Sequence, residues 1–375
     1  MKIAIVVNSA WAAYNFRMNL ARNIFNEGND VIFIIPFDNL YSEKIKEDFK
    51  CYNLDIHPKS LNPFKELKTL LNLLVIYRKL KPDLTCHFTI KLNIYGSIAS
   101  WFCRIPNIAN ITGLGSAFLS GGIYKFIALF LYKFSLSFSS KVFIQNTEDL
   151  NFFIENNITK KSKLELVPGS GVDLTKFKFN PTKRNHNFIF LMISRIIKDK
   201  GIYEYIEAIK IIKKSKIYNS VEFQLLGEVN SDNNSSINKA ELNQWIDEGW
   251  INYLGVSDQV ENIIAECDCV LLPSYREGMP RSVLEAFAIG RPAIVSDVPG
   301  CREIVDDAKN GLICQVKSSV DLAKKMVSIM ELSDEDRFKY GENGRKKVES
   351  NFDEKIVINA YLKSINNILN YEKNI

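Results

Sequence analysis

Two carboxylates eight positions apart, Glu277 and Glu285, lie in REGMPRSVLEA at 276–286, with Gly278 and Pro280 between them. An apolar run, CDCVLLPS, precedes the stretch and another, RPAIVSD, follows it, so the order reads strand, loop, helix, strand. Ligands of parallel sheets gather at the carboxyl ends of strands, beside helix N-termini. Here the loop of Gly278 and Met279 leads to the backbone N–H groups of Arg281 and Ser282. Their unpaired donors and the helix dipole favour an anion such as a diphosphate. Glu277 on the loop and Glu285 one turn into the helix then flank that anion. The first is placed to face a sugar and the second to accept from ribose hydroxyls, which is the chemistry of gripping a nucleotide-sugar at both ends. On its own, such a pair also fits a helix-start carboxylate and a solvated glutamate.

A second constellation bears on that choice. SRIIKDKG, residues 194–201, follows the apolar run FIFLMI, and Arg195 and Lys200 flank a short loop that opens a helix. Departure of a leaving group from a sugar–diphosphate bond develops negative charge on the β-phosphate, which fixed cations stabilise. Other phosphate chemistries find little support. GLGSAF, Gly113 to Phe118, carries Phe where a dinucleotide fingerprint needs its third Gly, and no acidic partner follows at the expected distance. No Walker lysine loop is present. The Asp-x-Asp of LSDEDRF, Asp334 to Asp336, reads as acidic residues opening a helix and calls for no metal. Seven scattered cysteines without a Cys-x-x-Cys pair, and three histidines, make a zinc site or a disulfide framework a poor fit. They suit a reducing, cytoplasmic setting.

These loops need elements to hold them. A chain of 375 residues is too long for one core, and 46% hydrophobic residues suffice for two. Short apolar runs alternate with helical patterns in both halves: KIAIVV, Tyr14 to Asn26, DVIFIIP, Leu61 to Lys81 and DLTCHF in the first. In the second come FIFLMIS, a helix from Gly201 to about Lys214, VEFQLLG, INYLG, CDCVLLPS and RPAIVSD. That is the pattern of βαβ units and parallel sheets, hence an α/β chain of two Rossmann-like domains. The stretch at 167–187, rich in Gly, Pro and Asn, reads as the linker, and a cleft is expected there. Expected boundaries are 1–172, 173–352 and a C-terminal helix at 353–375 that packs back across both domains. NSDNNSS at 230–236 reads as a surface loop.

Charge is uneven. Residues 1–175 hold 20 Lys and Arg against 14 Asp and Glu, the remainder 28 against 29, and no acid occurs between Asp83 and Glu148. A basic surface interleaved with aromatics suits anionic lipid or phosphate, and nothing points to nucleic acid. GIYKFIALFLYKFSLSFS, 122–139, with Lys125 and Lys133, is too short and charged to span a bilayer comfortably. It reads either as an interfacial helix or as an internal helix with snorkelling lysines, and the two fit different faces. The N-terminus is too short in apolar residues for a signal peptide.

The paired SRIIKDKG and PSYREGMPRSVLEA, with LLGE and NYLG between them, resemble the retaining GT-B glycosyltransferases of family 4. YNFRMNL, SLNPF, CHFTIKLNIYG and ITGLGSAF are similar to those of its bacterial members that build O-antigen, capsule and N-linked glycans on undecaprenyl diphosphate. The likeness covers nearly the whole chain. It implies a GT-B fold, with two Rossmann-like domains facing a central cleft. The implied reaction moves a sugar, N-acetylhexosamine in the first place, with retention, from a UDP-sugar to a polyprenyl-diphosphate-linked saccharide. The UDP-sugar is a co-substrate, and no cofactor or metal is implied. Glu277, Arg195 and Lys200 become the catalytic set. Glu285, Gly278, Met279, Arg281 and Ser282 become the donor site, joined by Gly227 of LLGE and Gly255 of NYLG. Arg17, His87, Lys91, Lys125 and Lys133 fall to the acceptor or membrane side, although His87, within an apolar strand, reads first as a buried core histidine, and the chain falls to the inner face of the cytoplasmic membrane. It departs from the family pattern at Pro280, which removes a backbone donor, at NITGLG, which lacks a histidine, and at NSAWAAYNFR, which lacks paired glycines. A UDP-sugar epimerase on the same architecture and a catalytically silent membrane-bound scaffold remain as alternatives.

Overall fold

A computed structural model describes residues 1–57, 60, 62–113, 122–180, 187–215, 220–229 and 235–373, with backbone alone at 122–125 and 372–373. Residues 114–118 of GLGSAF, Leu61 of SLNPF, 181–186 of the expected linker, 230–234 of the polar loop and the Lys125 side chain lie outside it. Two compact units divide the chain: Met1–Ser170 with Lys355–Ile375, and Gly171–Glu354.

The first unit runs β1 (Lys2–Val6), α1 (Ala10–Asn26), β2 (Asp30–Ile35), α2 (Tyr41–Lys46), β3 (Lys50–Asn53), α3 (Pro63–Leu80) and β4 (Leu84–Phe88). It continues α4 (Ile90–Phe102), β5 (Asn107–Ile111), α5 (Gly122–Leu136), β6 (Lys141–Ile144), α6 (Thr147–Glu155) and β7 (Leu164–Leu166). The seven strands pair in parallel in the order β3-β2-β1-β4-β5-β6-β7. The central strands are apolar on both faces because helices cover both. Ile3, Ile5, Ile108 and Phe143 face one side, where α1 buries Ala13, Leu20 and Ile24. Ala4 and Val6 face the other, under Leu73 and Tyr77 of α3 and Leu92 of α4. Ala109, Ile111, Val142 and Ile144 continue that second face under Tyr132 and Leu136 of α5. Thus α3, α4 and α5 form one layer, with α4 packed between the other two.

The second unit repeats the plan with β8 (Phe188–Ile193), α7 (Ile202–Lys214), β9 (Val221–Leu226), α8 (Lys239–Asp247), β10 (Asn252–Gly255), α9 (Val260–Glu266) and β11 (Cys269–Leu272). After these come α10 (Arg281–Ile289), β12 (Ala293–Ser296), α11 (Pro299–Ile304), β13 (Gly311–Cys314), α12 (Ser319–Glu331) and α13 (Asp334–Asn351). The order is β10-β9-β8-β11-β12-β13, all parallel. Met192, Leu225 and Leu271 pack on Ile206 and Ile209 of α7 and Met326 of α12. Leu191, Val270 and Val295 pack on Val283 and Phe287 of α10 and Ile304 of α11.

The last helix, α14 (Glu354–Lys373), was expected across both domains. Its buried residues Val357, Ile358, Tyr361, Ile365 and Leu369 belong to the core of the first unit, on the α1 side. The Tyr361 hydroxyl accepts there from Asn110 Nδ2 at 2.7 Å. Each sheet reverses its winding once, between β1 and β4 and between β8 and β11. Those switch points are where doubly wound sheets open a crevice for ligands.

Candidate active site

Neighbouring strands β8 and β11, paired Phe190 to Cys269 and Met192 to Leu271, end side by side at the second switch point. Their loops, 194–201 and 273–280, therefore emerge together, each leading into a helix. Glycines make the contact close. Gly201 has φ +76°, and a Cβ there would lie 2.1 Å from the Pro273 carbonyl oxygen. Gly227 has φ +153°, and a Cβ would fall 1.8 Å from the Ser194 oxygen, while its N–H donates to Gly255 O at 2.7 Å. The N–H of Tyr275 donates to Asp199 O at 2.9 Å. The two loops are thus one backbone-bonded unit.

Across that unit the ammonium of Lys200 donates to the carboxylate of Glu277. Their side chains are 18% and 11% exposed, so solvent screens the pair weakly. Arg195 is exposed and makes no ion pair among the described residues. Gly278 and Met279 are half-buried, and Pro280 caps α10 without a side-chain hydrogen bond. The first N–H groups of α10, those of Arg281 and Ser282, lie outside the helix's own i→i−4 ladder. The site therefore combines a cation, a carboxylate and a helix N-terminus within one loop pair.

One turn further, Glu285 accepts from Arg281 Nε at 2.7 Å, an i,i+4 pair with 12% and 18% of the respective side chains exposed. Burial pushes the Glu285 carboxyl above its ordinary range, against the opposing pull of Arg281 and Lys176. Lys176 in turn lies 3.3 Å from Glu261 of α9. The Asp334 to Asp336 stretch opens α13, where Ser333 accepts from the Asp336 N–H at 3.1 Å and Asp334 pairs with Arg337.

Sequence reasoning missed four residues that shape these loops. The Tyr275 hydroxyl donates to Glu204 of α7 at 2.8 Å, and Lys317 from the loop after β13 sits 4.7 Å from the Tyr275 ring centroid. A Cβ on Gly300, in the first turn of α11, would lie 2.1 Å from Gly278 O and 3.0 Å from Glu277 O. Only the position of Glu204, near the start of a helix that follows Gly201, offered any signal.

The residues expected on the acceptor or membrane side scatter. His87 proves to be a core residue, because β4 is a central strand covered on both faces. It is fully buried, its ring lies nearly parallel to Tyr77, and Nε2 sits 2.8 Å from the Tyr77 hydroxyl. Burial pushes its imidazole down to about 3, so it is neutral near pH 7. Arg17 is buried too, its guanidinium carbon 4.0 Å from the Phe88 ring centroid. Lys91 is turned inward, bonding Glu66 Oε1 at 2.6 Å, His57 O at 2.8 Å and Ser60 O. Lys133 is exposed on α5. That helix buries Tyr132 and Leu136, as the internal reading expects, and exposes Phe126 (73%) and Phe130 (71%) on its other side. No helix among the described residues is long and apolar enough to cross a membrane.

A family model for glycosyl transferases group 1 matches residues 173–347, and one for glycosyl transferase 4-like proteins matches 2–146. The N,N'-diacetylbacillosaminyl-diphospho-undecaprenol alpha-1,3-N-acetylgalactosaminyltransferase of Campylobacter jejuni is 29% identical, over 98% of this chain and 99% of that one. The capsular polysaccharide biosynthesis glycosyltransferase CapM of Staphylococcus aureus is 29% identical, over 78% and 79%. A UDP-Gal:alpha-D-GlcNAc-diphosphoundecaprenol alpha-1,3-galactosyltransferase of Escherichia coli is 24% identical, over 82% and 81%. Among solved structures, Anabaena HepE in complex with UDP and glucose superposes with a TM-score of 0.79 at 18% identity, covering 98% of this chain and all of that one. At that identity the likeness concerns the fold.

Proposed function

This chain belongs to the GT-B glycosyltransferases of family 4, and from that premise we propose that it moves a sugar from a UDP-sugar to a saccharide carried on undecaprenyl diphosphate. N-acetylhexosamine is the donor sugar of this reading, and the anomeric configuration is retained. The observation that carries it is the Lys200–Glu277 pair beside the N-terminus of α10, at the switch point of the second sheet. A diphosphate lying there meets Lys200, the exposed Arg195 and the first N–H groups of α10. Glu285 then accepts from the ribose hydroxyls, and Glu277 meets the sugar. The relatives from Campylobacter and Escherichia named above, both acting on diphosphoundecaprenol-linked saccharides, support the acceptor class.

In the reaction, the bond from the anomeric carbon to the β-phosphate oxygen breaks while the acceptor oxygen bonds to that carbon from the same face. The acceptor proton passes to the departing phosphate oxygen, so UDP leaves without a separate base. Negative charge grows on the β-phosphate, and in this reading Lys200, Arg195 and the helix end stabilise it, at about 10²–10³ in rate for each such group. Protein groups supply this charge, so the reading assigns no metal and no cofactor. The first unit takes the lipid-linked acceptor, with the chain attached peripherally to the inner leaflet.

A screen of radiolabelled UDP-sugars against undecaprenyl-diphosphate-linked acceptors tests this. Label should move from a UDP-N-acetylhexosamine into the lipid fraction. Label that stays on UDP while the sugar changes, with no acceptor needed, would make the chain an epimerase. No turnover with any donor would make it a scaffold.

A further inference from the structure

We propose that the outer face of α3 joins that of α5 in a single surface that docks on an anionic lipid bilayer. This rests on the lipid-linked acceptor reading and adds to it a helix that has no part in the site described above. Phe64 (83% exposed), Leu67, Leu71 and Val75 (65%) fall at i, i+3, i+7 and i+11 of α3, forming one apolar stripe about 16 Å long. The helix already has a core face, since Leu73 and Tyr77 are buried against the sheet. A second apolar face is not needed for folding and leaves a patch of the kind that marks an interaction surface. On the far side of α4, Phe126, Phe130 and Phe134 of α5 form a matching stripe. Both helices lie on the same side of the sheet, so both stripes point away from it. At the end of α4, Trp101, itself 48% exposed, stacks on Phe138 at 4.5 Å, and Phe138 meets Phe134 at 5.1 Å, which extends the α5 stripe onto α4.

Charge identifies the occupant. Residues 61–147, which contain the whole layer, carry ten Lys and Arg against two acids, Glu66 and Asp83. Glu66 is neutralised by Lys91, whereas Lys65, Arg78, Lys79 and Lys133 stand exposed beside the stripes. Protein interfaces are depleted in lysine at their centres. Apolar side chains flanked by Lys and Arg are what an interfacial helix on anionic lipid presents. Both helices also start from the carboxyl-end side of the sheet, where a parallel sheet receives its ligand, so a docked bilayer would border the place of a diphosphate-linked acceptor.

The test uses the full chain with phosphatidylcholine vesicles, with and without phosphatidylglycerol, read by flotation. Wild type should float with the anionic vesicles. Leu67→Glu/Leu71→Glu should float about tenfold less or worse, and Lys65→Glu/Lys79→Glu should lose the preference for phosphatidylglycerol. All four positions are exposed, so thermal midpoints should stay near wild type. Transfer to a water-soluble, short-chain diphosphate-linked acceptor should also be unchanged in both variants. Unaltered flotation of the leucine variant overturns the proposal. So does wild-type self-association that the same leucine changes abolish, with no flotation on either vesicle, which would make the face a contact between copies. Failure of the acceptor reading shows separately, as absence of transfer by wild type to any acceptor.

Discussion

Lys200 and Glu277, 77 residues apart in the chain, meet through their charged ends because β8 and β11 are neighbours whose loops interlock. Taking a cation and a carboxylate out of water is unfavourable unless they satisfy each other. The pair therefore keeps two reactive groups in place before any substrate arrives. A diphosphate offers Lys200 a second anionic partner and frees Glu277 to meet a sugar. Preorganisation of this kind means that little rearrangement is needed at the moment of reaction.

Removing Lys200 should separate its structural and chemical roles. Lys200→Ala leaves Glu277 buried without its partner, so thermal stability and turnover should both fall, turnover by about 10²–10³. Adding Glu277→Gln removes the stranded charge and should restore the thermal midpoint without restoring turnover. Unfolding scans and transfer assays on the two variants check this. Recovery of turnover in the double variant would mean that Lys200 serves only to balance Glu277.

Gly300 should control the same loop sterically. It lies in the helical backbone of α11, so space rather than conformation is at issue, and the atoms in the way are the carbonyl oxygens of Gly278 and Glu277. Gly300→Ala must push the loop, at about 1–3 kcal/mol in stability. A shift near 1 Å at Glu277 should lower kcat/KM by about 10²-fold. Wild-type kinetics in this variant would show that the loop yields without consequence.

What was legible in the sequence follows from how local each signal is. Continuous apolar runs such as FIFLMI and CVLL announce buried parallel strands, and the doubly wound order then brings β8 and β11 together. The meeting of Lys200 and Glu277 was readable on that ground. β3 and β7 escaped because KCYN and LEL are short and half-exposed, and β5, β6 and β13 because NIANI, KVFI and GLIC are runs of only four or five residues. His87 follows the buried-strand reading that its place in an apolar run already favoured, whereas Arg17 and Lys91 were assigned to the acceptor side by residue type without regard to surroundings. LTCHF is a wholly buried strand, and a histidine within it is a core residue first. Lys91 finds Glu66 25 residues upstream only once α3 and α4 pack together, a contact with no signature in spacing. The Gly300 contact depends on two loops folding against each other and is equally invisible.

The raised pKa of Glu285 should make donor binding pH-dependent. Burial is the larger cause, so the folded chain holds this proton at a pH where the unfolded chain, near 4.5, has lost it. As pH rises from 4.5 through the folded value, the group's contribution to stability declines and its ability to accept from ribose hydroxyls grows. The KM for the UDP-sugar should therefore fall as pH rises through that window. In Glu285→Gln the profile should be flat, and stability should gain on wild type over the same rise. Donor KM and thermal midpoint measured across pH test both, and parallel profiles in the two proteins would remove Glu285 from the ribose site.

His87 should set part of the acid sensitivity of the first unit while leaving the chemistry alone. Its imidazole titrates near 3 when folded and near 6.5 when unfolded. Between these values the unfolded chain binds a proton that the folded core refuses. The stabilisation is therefore complete above pH 6.5 and is lost as pH falls toward 3. At 1.36 kcal/mol per unit the loss is about 2 kcal/mol by pH 5 and roughly 5 kcal/mol once both forms are past their midpoints. The ring also fills the space over Gly96, where a Cβ would come within 2.6 Å of it, so a larger residue at either position strains the contact between α4 and β4. His87→Gln keeps a neutral partner for the Tyr77 hydroxyl and removes the titrating group. Denaturant unfolding at pH 7 and pH 5 should show a smaller difference in the variant than in wild type, at an initial packing cost of about 1 kcal/mol. Transfer activity at pH 7 should persist, because a side chain with no exposed surface cannot exchange protons with an acceptor hydroxyl. Equal pH dependence in both proteins, or collapse of turnover with stability intact, would return His87 to the list of groups that act on substrate.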